Sequence, residues 1–119
     1  MWVSEQEPAL RPKVILVQAR HLLQKAQSWS QGAFAYNESD HRVSYTDPNA
    51  CSFCLEGAIR RVAKRGRATE ADLERALLLV RDIIHVPGNY PSIQGWNDRG
   101  TTKHSEVLAV LDKAIAAAP

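Results

Sequence analysis

The sequence predicts a mainly α-helical, compact four-helix domain with a short β-hairpin between the first and second helices. Three observations predict it. Apolar residues recur at spacings of three and four in four segments. The stretch between the first two segments loses that period and carries aromatic residues around a polar turn. Helix start and stop residues fall at the segment edges.

Residues 1–12 mix Pro8, Pro12 and charges without a period and are expected to form an arm, leaving residues 13–119 as a single helical domain. Pro12 suits the first position of the first helix, where a missing N–H costs nothing. From Lys13 to about Trp29, Ile15, Leu16, Ala19, Leu22, Leu23 and Ala26 mark one helical face. Phe34, Tyr36, Val43 and Tyr45 then flank an Asn37-Glu38-Ser39-Asp40 turn, which predicts the hairpin. Asp47 followed by Pro48 predicts the start of the second helix, with Cys51, Cys54, Leu55, Ala58, Ile59 and Val62 on its apolar stripe and Gly66 after its end. Gly57 inside that helix points to the close approach of another backbone. Thr69 with Asp72 resembles a capping box for the third helix, which Pro87 and Gly88 end. Thr101 or Thr102 is expected to cap the fourth, whose buried face is Val107, Leu108, Leu111, Ala114 and Ile115.

A chain of 119 residues with 45% hydrophobic and 24% charged residues is that of an ordinary globular domain, with enough apolar content for one core. The apolar runs are too short to span a bilayer, and the first residues lack the pattern of an export signal, so a cytoplasmic location is expected. With a net charge of only +2, any affinity for polyanions must come from clustering. Two cysteines three residues apart make no disulfide framework, and the four histidines show no ligand spacing relative to them, so neither a metal nor a cofactor is expected.

Three features are candidates for chemistry. Cys51 and Cys54 invite a redox or zinc reading, although their place on an apolar stripe favours core packing. The segments Trp29-Ser30-Gln31-Gly32 and Trp96-Asn97-Asp98-Arg99 set aromatic rings beside amide and carboxylate groups, the ingredients of a small-ligand pocket, or equally of a packed and capped helix end. Arg60, Arg61, Lys64, Arg65 and Arg67 form a basic stripe that can meet phosphates, or simply a solvated helix end. No phosphate loop, metalloprotease pair or hydrolase elbow is present.

Together, W-S-Q-G-A at Trp29, D-P-N-A-C-S-F-C-L-E-G-A at Asp47 and W-N-D at Trp96 resemble a family of small bacterial and phage proteins, a domain of unknown function. The resemblance covers roughly residues 14 to 116. It singles out Trp29, Gln31, Gly32, Cys54, Gly57, Ala58, Trp96, Asn97 and Asp98. A Trp-Cys pair in the family stands where this chain has Phe53 and Cys54, and Cys51 has no counterpart. The resemblance implies an accessory role and no activity.

The functional expectation is a non-enzymatic binding or protein-interaction module with Trp29, Gln31, Cys54, Trp96, Asn97 and Asp98 gathered at one end of the bundle. A protein partner or small ligand is favoured over nucleic acid, and no membrane partner is expected. The alternatives are a small enzyme using Cys54 or Asp98, and a nucleic-acid binder using the basic stripe. A pocket bordered by the six residues favours ligand binding. Polar groups that pair only with backbone and with one another favour a structural role.

Overall fold

Pro12 opens the first helix, α1 (Pro12–Leu22), and Ile15, Leu16 and Ala19 line its fully buried side, continued by Leu23. The computed structural model describes residues 10–85 and 92–119. Most of the predicted arm, the Pro87-Gly88 stop and the beginning of the loop after it lie outside these residues. The helical period does not carry α1 as far as Trp29. A single 3-10 turn over Ala26–Ser28 follows instead, and Trp29 is extended, making a parallel bridge to Phe53.

Two short strands, β1 (Ala35–Tyr36) and β2 (Arg42–Val43), pair antiparallel around the polar turn. Asn37 holds that turn: its side-chain oxygen accepts from the amides of Ser39 and His41, and Asp40 takes the left-handed backbone with φ of 62°. A third strand, β3 (Ser52–Phe53), which the hairpin expectation lacks, pairs with the other edge of β1 to give the sheet order β2-β1-β3.

This third strand displaces the predicted start of the second helix. Asp47 and Pro48 form a turn, closed by the Ala50 amide on the Asp47 carbonyl and by the Asn49 amide on the Asp47 carboxylate at 2.7 Å. With residues 52–53 held in the sheet, α2 runs only from Leu55 to Arg65 and Cys54 becomes its N-cap. Cys51 is therefore exposed and off the helix, while Cys54 is buried, and both thiols are free. The stripe of Leu55, Ala58, Ile59 and Val62 is buried as its spacing requires, each large side chain contributing about 1.5–3 kcal/mol. A Cβ on Gly57 would run into the backbone carbonyl of Phe34, so this glycine lets α2 lie directly on the chain entering β1.

Thr69 caps α3 (Glu70–His85) by accepting from the Asp72 amide at 3.0 Å. A short helix that the four-helix reading lacks, α4 (Ile93–Asn97), starts at Ser92, whose hydroxyl accepts from the Gly95 amide at 3.0 Å. The last helix, α5 (His104–Ala117), is capped by neither predicted threonine. The Lys103 amide donates to Glu106, and the Thr102 hydroxyl turns back to the Trp96 carbonyl at 2.8 Å. The chain is thus mainly helical, with five α-helices and a three-stranded antiparallel sheet among the described residues. α1 packs against α2, α3 and α5, and α4 sits against α2 and α3. No helix among the described residues is long and apolar enough to cross a membrane.

Candidate functional site

Asn97, at the last position of α4, is completely buried and uses both ends of its amide. Its oxygen accepts from the Trp29 indole N–H at 2.7 Å and from the Leu55 amide at 3.0 Å. Its nitrogen donates to the Ser30 carbonyl at 3.1 Å and to the Asp98 carboxylate at 3.0 Å. Flipping the amide would set donors against donors, so the surroundings fix one orientation. Three segments far apart in sequence, 29–32, 54–57 and 94–98, meet on this one side chain.

The network extends outward from Asn97. Gln31 donates to the carbonyls of Asn97 at 2.9 Å and Arg99 at 3.2 Å. Asp98 accepts from the Gly32 amide at 2.9 Å, from Asn97, and from Gln94 at 2.7 Å. The Gln94 oxygen in turn accepts from the Cys54 thiol at 3.2 Å, and that sulfur accepts from the Gly57 amide at 3.2 Å. Gly32 has φ of +96°, and a Cβ there would lie 2.8 Å from the Tyr36 hydroxyl, which donates to the Gln31 carbonyl. Gly57 and Gly32 thus make room for the Phe34 backbone and the Tyr36 hydroxyl. Ser30 Oγ is a buried side-chain oxygen without a partner among the described residues.

Five of the six predicted site residues, Trp29, Gln31, Cys54, Asn97 and Asp98, are thereby joined in one hydrogen-bonded cluster. Trp96 shares the segment but its ring enters the core, 6% exposed, with the Arg99 guanidinium 5.9 Å from its centroid. Spacing alone does not flag Gln94, because the five residues 93–97 are too few to show a helical period. The signal available was the four-residue step from Gln94 to Asp98, which puts both on one face once a helix is assumed.

The electrostatics suit a fixed scaffold. Burial pushes the Cys54 thiol up, to about 12, although the Gly57 amide pulls the other way. So high a value withholds the thiolate that nucleophilic chemistry needs. Burial also opposes ionisation of Asp98, but hydrogen bonds from Gly32, Asn97 and Gln94 outweigh it and hold the carboxyl below its ordinary range. Asp98 is therefore a permanent carboxylate near neutral pH. Among the described residues no group of three or more histidine, cysteine or acidic side chains is placed to hold a metal ion.

The basic stripe is divided by its surroundings. Arg60 pairs with Glu56 one turn earlier at 2.8 Å. Arg61 is 8% exposed, donates to the carbonyls of Tyr45 and Asp47 at 2.9 and 2.7 Å, and lies 5.3 Å over the Phe53 ring. Lys64, Arg65 and Arg67 are the members left on the outer surface.

A groove of about 710 Å³, lined by none of the six predicted residues, lies between α1, the approach to β3, and α2. Val17, Leu22, Phe53 and Val62 give it an apolar lining, and Arg61 and Arg65 border it. Its signal in the sequence was the Val14 and Val17 pair, which falls off the buried stripe of α1 and leaves Val17 47% exposed.

A family model matches residues 7–117, and the chain belongs to that family, a family of unknown function (DUF6197). No curated protein and no solved structure gives a significant match.

Proposed function

We propose that this protein is a non-enzymatic binding module whose binding face is the groove between α1 and α2, with the Trp29–Asn97–Asp98 cluster serving as the lock that holds the elements around it. The observation that carries this reading is a contrast in satisfaction. Trp29, Gln31, Cys54, Asn97 and Asp98 spend their hydrogen-bonding groups on one another, on Gln94 and on backbone, whereas at the groove Val17 is exposed and Leu22 half-buried above the buried Phe53 and Val62. A concave, mainly apolar surface within the usual range of about 300–1,000 Å³ is the normal form of a small-ligand site. Against an enzyme stand the raised thiol of Cys54, which withholds a thiolate, and the lowered carboxyl of Asp98, which has no proton to give as an acid near neutral pH and whose oxygens are taken up by Gly32, Asn97 and Gln94.

The neutral fluorophore N-phenyl-1-naphthylamine tests the reading. Its emission is expected to rise on adding folded protein and to fall back with Val17→Asp, a change at a half-exposed position that leaves the core intact. Unchanged emission with the wild-type protein would remove the groove as a binding face.

A further inference from the structure

The charges bordering the groove are all of one sign. Arg61 and Arg65 are one helical turn apart on α2, so both guanidinium groups are presented to the same side, and His21 of α1 borders the groove as well. No Asp or Glu is found among the described residues that line it. Asp47, whose carbonyl Arg61 holds, is the opposing charge nearby, and neither Arg61 nor Arg65 has an ion pair among the described residues. Arg61 is nearly immobile: it is buried against Phe53 and tied at one nitrogen to two carbonyls. Burial, and then the adjacent charge of Arg65, disfavour its cationic form. A ligand that brings a negative charge there relieves repulsion already present in the free protein, and Arg61 loses little freedom on binding it.

We propose that the groove takes a small organic anion with an apolar body, of the class of medium-chain or aryl carboxylates, its head group at Arg61 and Arg65 and its body over Val17 and Leu22. The inference rests on the reading of the groove as the binding face and adds the chemical class of the ligand. Arg61 supplies a pre-positioned donor and Arg65 an adaptable one, so the pair recognises a planar carboxylate through charge and hydrogen bonding together. Val17 and Leu22, on the facing helix, offer the apolar surface that a free inorganic anion would leave unused.

The test is displacement of bound N-phenyl-1-naphthylamine by octanoate and by 1-octanol, which share a chain length and differ in the charge of the head. Octanoate is expected to displace the dye at about one tenth of the concentration needed for octanol, and added salt is expected to narrow the gap. Arg65→Ala, at an exposed position, is expected to raise the octanoate midpoint about fivefold or more relative to the octanol midpoint measured on the same variant. Equal potency of the two competitors, or an octanoate midpoint indifferent to Arg65→Ala, would overturn the assignment of an anion while leaving an apolar groove. Failure of the dye to bind at all would remove the assignment and the groove reading together.

Discussion

The indole N–H of Trp29 donates to the side-chain oxygen of Asn97 at 2.7 Å across 68 residues of chain. The same oxygen takes the Leu55 amide at the start of α2, so one buried side chain joins the segment after α1 to the ends of two helices. Removing it leaves the indole N–H and the Leu55 amide without their acceptor, at about 1–3 kcal/mol for each donor left unsatisfied. Asn97→Ala is accordingly expected to lower Tm by roughly 10 °C or more, whereas Trp29→Tyr removes one donor and costs less. Thermal unfolding of both variants and of the double variant checks this. Single effects that simply add in the double variant would contradict a shared interaction.

Asp98 gives the fold a specific acid sensitivity. Its folded carboxyl titrates below its ordinary range, so its contribution to stability is complete above about pH 4, the unfolded value, and is lost as pH falls through the lower folded value. Asp98→Asn removes that contribution and is expected to flatten the decline in unfolding free energy below about pH 4. Denaturant titrations of wild type and variant across that range provide the comparison, and parallel declines would speak against the role given to the three donors.

The two thiols differ in environment and should differ in reactivity. A neutral alkylating reagent is expected to modify Cys51 in the folded protein and to reach Cys54 only on unfolding, because burial holds the Cys54 proton to about pH 12. The sign for stability follows: the contribution of Cys54 is fully present below its unfolded value near 9 and is lost as pH rises from there through the folded value of about 12. Cys54→Ser, which keeps an acceptor for the Gly57 amide, is expected to be milder than Cys54→Ala, which loses the cap at about 1 kcal/mol. Rapid labelling of Cys54 in native buffer would reverse the conclusion that it is not a nucleophile.

How far the sequence led depends on the kind of signal involved. The stripes of α2 and α5 were legible because helices of three or more turns repeat their period, and Gly57 announced a close backbone approach that Phe34 makes. The meeting of Trp29, Gln31, Cys54, Asn97 and Asp98 agrees with the expected gathering at one end, although the Trp29–Phe53 bridge and the sheet make it where a short helix connection was expected. The link from Cys54 to Asp98 was not legible, because it runs through Gln94 in α4, a five-residue helix too short to show a period. The start of α2 misled because Asp47-Pro48 serves a turn as well as it serves a helix start, and only the pairing of Ser52 and Phe53 with β1 decides between them. The groove was hidden by the basic stripe: the sequence runs Arg60 and Arg61 together in one basic cluster, and only packing shows that Arg61 turns inward while Arg60 goes to Glu56.

The most direct measurement is amide chemical-shift mapping by two-dimensional NMR during titration with N-phenyl-1-naphthylamine. If the groove is the binding face and the Asn97 cluster is its scaffold, the shifted amides will centre on Val17, Leu22, Cys51 and Val62, with Gln31, Gln94 and Asp98 unmoved. Shifts centred on Gln31, Gln94 and Asp98, with the amides of α1 and α2 along the groove unchanged, would contradict it.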